Sequence, residues 1–169
     1  MTSSQTLDEA AGYRARFEQK IARNAQAWLD FVQAQAKESP ALDKERANLG
    51  KAVEQALLAP AAWQPALELA AALWPYVELR GYWLSWQEVL EQALAVSRRL
   101  GRPALEAQAL RQLGEAARIL GDNAAGLAYQ EAALAIYRRA GELADAGRLM
   151  SELSQVHLAL GGQAQAAAC

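Results

Sequence analysis

Apolar residues recur at steps of three and four along most of the chain, which is the spacing of one face of an α-helix. The clearest run lies in the N-terminal segment and predicts a long helix that ends near Ala36. Its inward positions are predicted to be Phe17, Ile21, Ala25, Trp28 and Val32. A second helix is predicted to follow, with Leu42, Leu49, Val53 and Leu57 facing inward.

The ends of these two helices carry capping signals. Thr6 and Glu9 have the spacing of a capping box, which can open the first helix. Ser39 and Pro40 combine a cap residue with a first-turn proline, and they predict the start of the second helix. The second helix is expected to end at Ala59, because Pro60 cannot continue it.

From Pro65 onward the sequence predicts five more helices, each of which ends at a glycine. These glycines are Gly81, Gly101, Gly121, Gly141 and Gly161. Pro103 and Asp122 are expected to begin two of the helices, and Pro75 is expected to kink the first. Turns of two or three residues between the helices predict antiparallel neighbours.

Identical residues return after forty positions in this glycine-punctuated region. Leu73, Leu113 and Leu153 follow this step, as do the adjacent arginines at 98–99 and 138–139. The register predicts a repeated helix pair. Each arginine pair falls in the last turn of a helix, where cations are favourable, so we interpret the pairs as helix ends and not as a phosphate site.

The segment 109–141 resembles a tetratricopeptide repeat. It contains the Leu113-Gly114 pair, the Gly121-Asp122 turn and a second helix with Gly126, Ala133 and Leu134. The forty-residue period is longer than the family's usual period of about 34 residues. The resemblance implies an all-α fold of antiparallel helix-pair repeats, stacked as a short right-handed superhelix, or α-solenoid. It also implies a concave groove that holds a segment of a partner protein.

A second resemblance covers residues 45–160. This stretch is similar to the helical region that follows the ATPase and winged-helix modules of bacterial multidomain signalling ATPases. In that family such regions are sensor or protein-interaction arrays. We therefore expect residues 1–60 to form a two-helix extension, and residues 61–169 to form the repeats, with the last repeat incomplete.

Composition narrows the class of function. The chain of 169 residues is 53% hydrophobic and 21% charged, with a net charge of −2, whereas nucleic-acid binders usually carry a basic excess. Its start lacks the basic and apolar regions of a secretion signal, and no apolar run is long enough to span a membrane. The single Cys169 excludes an internal disulfide and a cysteine-cluster metal site. We expect a cytoplasmic protein without cofactor, metal, nucleic-acid or membrane partner.

One polar row on the first helix of each repeat is the candidate binding surface. The tetratricopeptide resemblance implies that this row lines the concave groove. Its members are Gln108, Arg111, Glu115 and Arg118, mirrored by Arg148, Ser151 and Gln155. The arginines could hold a ligand carboxylate in a bidentate pair. The alternative is that Glu115 pairs with Arg111 and Arg118 along a solvated helix.

An apolar row on the same helices is the expected packing face. It comprises Leu110, Leu113, Ala117 and Leu120, mirrored by Met150, Leu153, His157 and Leu160. The third unit of the register is incomplete, so part of this face is expected to lie open. Two explanations remain: the chain is a piece of a longer array, or the face is covered by a partner or, through Met150, Leu153 and Leu160, by another copy of the chain.

Two further groups have alternative interpretations. His157 lies three residues from Ser154, but no acid is placed to orient its imidazole, so a packed histidine is favoured over catalysis. Aromatic side chains crowd the Gly81 turn and either fill a joint or line a ligand pocket. They include Trp74, Tyr82, Trp83 and Trp86.

The sequence therefore favours a non-enzymatic module that binds a protein or peptide partner, or assembles with copies of itself. The alternative is a ligand- or peptide-sensing module of the kind found in signalling ATPases and transcription regulators.

Overall fold

The computed structural model describes the backbone of residues 3–159 and the side chains of residues 9–155. This part of the chain contains seven α-helices, a single 3-10 turn at Pro60–Ala62 and no strand, so the predicted all-α class is confirmed. The helices are α1 (Ser3–Gln33), α2 (Pro40–Leu58), α3 (Trp63–Arg80), α4 (Trp83–Arg99), α5 (Pro103–Ile119), α6 (Asn123–Ala140) and α7 (Leu143–Ala159).

Most of the predicted helix ends are confirmed. The Ser39 hydroxyl accepts a hydrogen bond from the Ala41 amide at 3.3 Å, and Pro40 is the first residue of α2. Asp122 caps α6 by accepting from the Ala125 amide at 3.0 Å. Local side-chain chemistry is sufficient to place these two starts.

Two predicted starts differ from the structure. The first helix begins at Ser3, so Thr6 lies inside it and does not cap it. The third begins at Trp63 and not at Pro65, because the 3-10 turn leads directly into it and the Trp63 indole donates to the Leu57 carbonyl at 2.8 Å. Pro65 still lies in the first turn, where its missing N–H has no helical partner to lose.

Four turns between consecutive helices are built in the same way. Each contains a glycine with positive φ: Gly81 at 71°, Gly101 at 60°, Gly121 at 94° and Gly141 at 75°. The amide after each glycine donates to a carbonyl five residues earlier. The acceptors are Val77 (3.1 Å), Ser97 (3.0 Å), Ala117 (2.9 Å) and Tyr137 (3.0 Å), so the same bond recurs every twenty residues. The predicted glycine ends of these four helices are confirmed, and Gly161 lies outside the described residues.

The arginine pairs occupy the last turns of α4 and α6, as predicted. Arg139 Nε donates to the Ala135 carbonyl at 3.3 Å, and Arg98 Nε lies 2.9 Å from Glu106 Oε1 across the Gly101 turn. Both contacts are made to the chain itself, which supports their interpretation as helix-end residues.

The chain divides into two compact units, one up to Tyr82 and one from Trp83. In unit 1, α1, α2 and α3 pack against one another, and in unit 2 α4 packs against α5, α5 against α6, and α6 against α7. The division falls after α3, whereas the sequence placed a boundary after residue 60, because α3 forms a three-helix core with α1 and α2. α3 nevertheless shares the forty-residue register with α5 and α7, since the equivalent residues Leu73, Leu113 and Leu153 are all at most 2% exposed.

Unit 1 confirms the predicted core of α2 and corrects that of α1. Leu42, Leu49, Val53 and Leu57 are buried, but Phe17 is 56% exposed. Among the residues of α1 whose side chains are described, the buried ones are Ala25, Leu29 and Val32, which lie in its second half. α3 runs through the exposed Pro75 without an assigned break.

A polar network joins α2 to α3 at one end of unit 1. The Arg80 guanidinium donates to both oxygens of Asp43, at 2.9 and 2.6 Å, and the Tyr76 hydroxyl donates to Asp43 at 3.0 Å. The hydrogen bond from Arg80 holds the pKa of Asp43 below its ordinary value. Arg46 lies 4.9 Å from the centre of the Tyr82 ring. These contacts pair the charged side chains of α2 and α3 with one another.

The closest helix crossing in unit 2 joins α5 to α6 at two glycines. A methyl group on Gly114 would lie 2.6 Å from Gln130 Cγ and 2.9 Å from the Gly126 carbonyl oxygen. Any side chain on Gly114 would therefore push the two helices apart. Two side-chain amides are buried in these helices, Gln112 and Gln130, and Gln112 Nε2 and Gln130 Oε1 have no hydrogen-bond partner among the described residues.

Among the described residues, no single helix is both long and apolar enough to cross a membrane. One pair of segments, 40–58 and 60–80, reaches that length and composition jointly but is bent by 119°.

Candidate functional site

A cavity of about 360 Å³ opens in unit 2 beside α5 and α7. We call it the α5–α7 cavity. It is lined by Ala104, Gln108 and Arg111 from α5, Tyr137 from α6, Glu142 at the start of α7, and Asp145, Arg148 and Glu152 within α7. The lining residues step by three or four within each helix, so each helix presents one face to the cavity.

The shape of the cavity follows from the packing of α6. Both α5 and α7 pack against α6, and Tyr137 near the end of α6 is 5% exposed while lining the cavity. The Tyr137 carbonyl also accepts the Glu142 amide in the Gly141 turn. The same turn thus holds the backbone of Tyr137 next to Glu142, the first residue of the α7 face.

Charges around the cavity are largely paired within the chain. Arg148 donates to Asp145 one turn earlier, and Arg111 Nη1 lies 3.6 Å from Glu115 Oε2. Burial raises the pKa of the Tyr137 hydroxyl, and the positive charge of Arg111 and its hydrogen bond to that hydroxyl act in the opposite direction. Arg111 therefore contacts both Glu115 and Tyr137.

The structure brings together three of the residues predicted for the concave row, namely Gln108, Arg111 and Arg148. Glu115 adjoins them through its ion pair with Arg111. The other three predicted residues, Arg118, Ser151 and Gln155, are exposed and do not line the cavity. The cavity therefore lies nearer the start of each helix than the row predicted from the sequence.

Five lining residues were not identified from the sequence: Ala104, Tyr137, Glu142, Asp145 and Glu152. The three-and-four spacing of Asp145, Arg148 and Glu152 was a usable signal, because it places the three on one helical face. No comparable signal existed for Tyr137, whose position depends on how α6 packs.

The expected packing face is confirmed in part. Leu110 and Leu113 are 2% exposed and Ala117 is half-buried, but Leu120 is 46% exposed because it follows the last residue of α5. The proposed self-association surface also changes. Leu153 is 2% exposed and Met150 is half-buried, so neither forms an open apolar patch, and His157 and Leu160 lie outside the residues described at this level.

The aromatic candidates are distributed over both units. Trp74 in unit 1 and Trp86 in unit 2 are buried, whereas Tyr82 and Trp83 are half-buried. Tyr82 lies 5.9 Å from Tyr76, measured between ring centres. Two of the four side chains thus belong to the hydrophobic cores of their own units.

The described residues contain no group of three or more histidine, cysteine, aspartate or glutamate side chains placed to hold a metal ion. The α5–α7 cavity offers carboxylates, guanidinium groups, an amide and a phenol. This set can bind a polar ligand through ion pairs and hydrogen bonds.

Comparison with known proteins assigns no family. No protein-family model matches the chain, and no curated protein sequence matches it significantly.

Proposed function

We propose that this protein is a non-enzymatic interaction module of the tetratricopeptide-like type, with helix pairs stacked as a short superhelix. It holds a segment of a partner protein in the α5–α7 cavity. The observation that carries the proposal is that this cavity collects three residues of the row expected to face a partner: Gln108, Arg111 and Arg148.

The repeated register supports a helical-repeat module. Residues forty positions apart have nearly equal exposure: 3% and 0% for Ala93 and Ala133, and 8% and 7% for Leu94 and Leu134. Equal burial at equivalent positions is expected of a helix pair used more than once. In such arrays a partner segment lies along the first helices, and the cavity contacts two of those, α5 and α7.

Binding can be tested without knowing the partner. The full chain would be immobilised and used to select from a library of random peptides about twelve residues long, which is enough to span a groove of this kind. Each selected peptide would then be measured against Ala104→Trp, which places an indole in the cavity from an exposed position on α5.

Ala144→Trp is the matched control. Ala144 is also exposed, lies forty residues after Ala104 and does not line the cavity. We expect Ala104→Trp to weaken binding by about tenfold, the loss of roughly 1.4 kcal/mol, and Ala144→Trp to leave it unchanged. A selection that yields no binder, or binders that tolerate Ala104→Trp, contradicts the proposal.

A further inference from the structure

The charges that line the α5–α7 cavity do not favour an acidic ligand. Three carboxylates, Glu142, Asp145 and Glu152, face two guanidinium groups, Arg111 and Arg148, so the lining has a formal charge of −1. The sequence alone suggested the opposite, an arginine row that holds a carboxylate.

Both arginines are already engaged. Arg148 pairs with Asp145, and Arg111 contacts Glu115 and the Tyr137 hydroxyl. A ligand carboxylate would have to displace one of these partners while approaching the remaining lining carboxylates. Each displaced group would lose a charge-assisted hydrogen bond, which removes most of the gain.

Two carboxylates remain available. The side chains of Glu142 and Glu152 are exposed, and their carboxylates form no hydrogen bond or ion pair with any described residue. They lie at the two ends of the α7 face, on either side of the Asp145–Arg148 pair. Ten residues of α-helix separate them, which corresponds to about 15 Å along the axis at 1.5 Å per residue.

We propose that the α5–α7 cavity binds an extended protein segment that carries two basic side chains, one for Glu142 and one for Glu152. An extended chain advances about 3.3 Å per residue, so about 15 Å corresponds to a spacing of four or five residues. The paired Asp145 and Arg148 between them accommodate a polar stretch, and Tyr137 and Gln108 offer hydrogen bonds to its backbone or side chains. This inference rests on the proposed function and adds the chemistry of the bound segment.

The peptide selection described above also tests this inference. Peptides that lose binding to Ala104→Trp are expected to carry pairs of lysine or arginine four or five residues apart. Their affinity should fall with rising salt concentration, because exposed ion pairs are screened. Replacing both basic residues by glutamine should weaken binding by about tenfold or more.

Variants of the protein locate the two contacts. Glu142→Gln and Glu152→Gln should each weaken the basic peptides roughly three- to fivefold, as expected for ion pairs that remain accessible to water. Glu131→Gln is the matched control, since Glu131 is an exposed residue of α6 outside the cavity and its neutralisation changes the net charge equally. It should leave the affinity unchanged.

The outcomes separate the two proposals. Acidic or neutral peptides that are sensitive to Ala104→Trp would overturn the basic-segment inference and leave the proposed function intact. Equal weakening by Glu131→Gln and Glu142→Gln would also overturn it, because the attraction would then arise from net charge alone. An absence of Ala104→Trp-sensitive peptides would overturn both.

Discussion

Replacing Gly114 with alanine should destabilise the protein, although alanine is the better helix former. Helix propensity alone favours alanine over glycine by about 1 kcal/mol. The added methyl group, however, would lie 2.6 Å from Gln130 Cγ and 2.9 Å from the Gly126 carbonyl oxygen. The side chain of Gln130 is buried and the carbonyl belongs to the backbone, so α5 and α6 must separate by several tenths of an ångström.

Overpacking of this kind costs about 1–3 kcal/mol. Two contacts below 3.0 Å, one of them with the backbone, place Gly114→Ala in the upper half of that range. After subtraction of the helix-propensity gain, we expect a net loss of about 1–2 kcal/mol in the free energy of unfolding. For a chain of this size the midpoint temperature should fall by roughly 2–8 °C.

The assay is urea and thermal unfolding followed by far-ultraviolet circular dichroism, with Gly147→Ala as the control. Gly147 is exposed in α7, and a methyl group there would meet nothing within 4 Å. That variant should gain about 0.5–1 kcal/mol, because only the propensity term applies. Both sites lie in unit 2 and report on the stability of the same unit. If Gly114→Ala were as stable as Gly147→Ala, the described α5–α6 crossing would be refuted.

Three further predictions concern stability. In urea unfolding, Leu113→Ala should lower the free energy of unfolding by about 2–5 kcal/mol and Leu120→Ala by less than about 0.5 kcal/mol. The difference is expected because Leu113 is 2% exposed and Leu120 is 46% exposed. Equal losses of stability would contradict the assigned buried and exposed faces of this segment. Gln112→Met should raise the free energy of unfolding by about 1 kcal/mol, because it removes a buried amide with an unpartnered Nε2; a loss of stability would show that the amide is satisfied. Asp43→Asn should be less stable than the wild type at neutral pH, and this difference in stability should shrink as the pH falls below 3.8. The reason is that the lowered pKa of Asp43 stabilises the folded state only while the carboxylate is ionised. Unfolding curves over an acid pH series that show a constant difference would refute this linkage.

Local sequence signals were sufficient for the helices and their ends in most of the chain. A positive φ at Gly101 or Gly141 is a property of one residue, and a cap at Asp122 needs only the next three residues. Such features depend on short stretches of chain, so the sequence alone identifies them. The burial of Leu113 follows in the same way from helical periodicity.

The features that were missed depend on contacts between distant segments. Phe17 fits the apolar face of α1 but is 56% exposed, and periodicity within one helix does not reveal which part of its apolar face a neighbour covers. The candidate site shifted for a related reason. Tyr137 enters the cavity from α6, and the rotation of α7 that presents Glu152 but not Ser151 is set by packing.

The twenty-residue recurrence of the glycine turn has a consequence for how this architecture can be lengthened or shortened. A deletion or duplication of twenty residues keeps the glycine turns in step, because the turn bond recurs at that interval, but it shifts the forty-residue register of Leu73, Leu113 and Leu153. A deletion or duplication of forty residues preserves both periods. Copies of residues 102–141 are therefore the natural unit by which this sequence can be lengthened, since each copy would end at a glycine and restore the bond from the next amide to a tyrosine carbonyl.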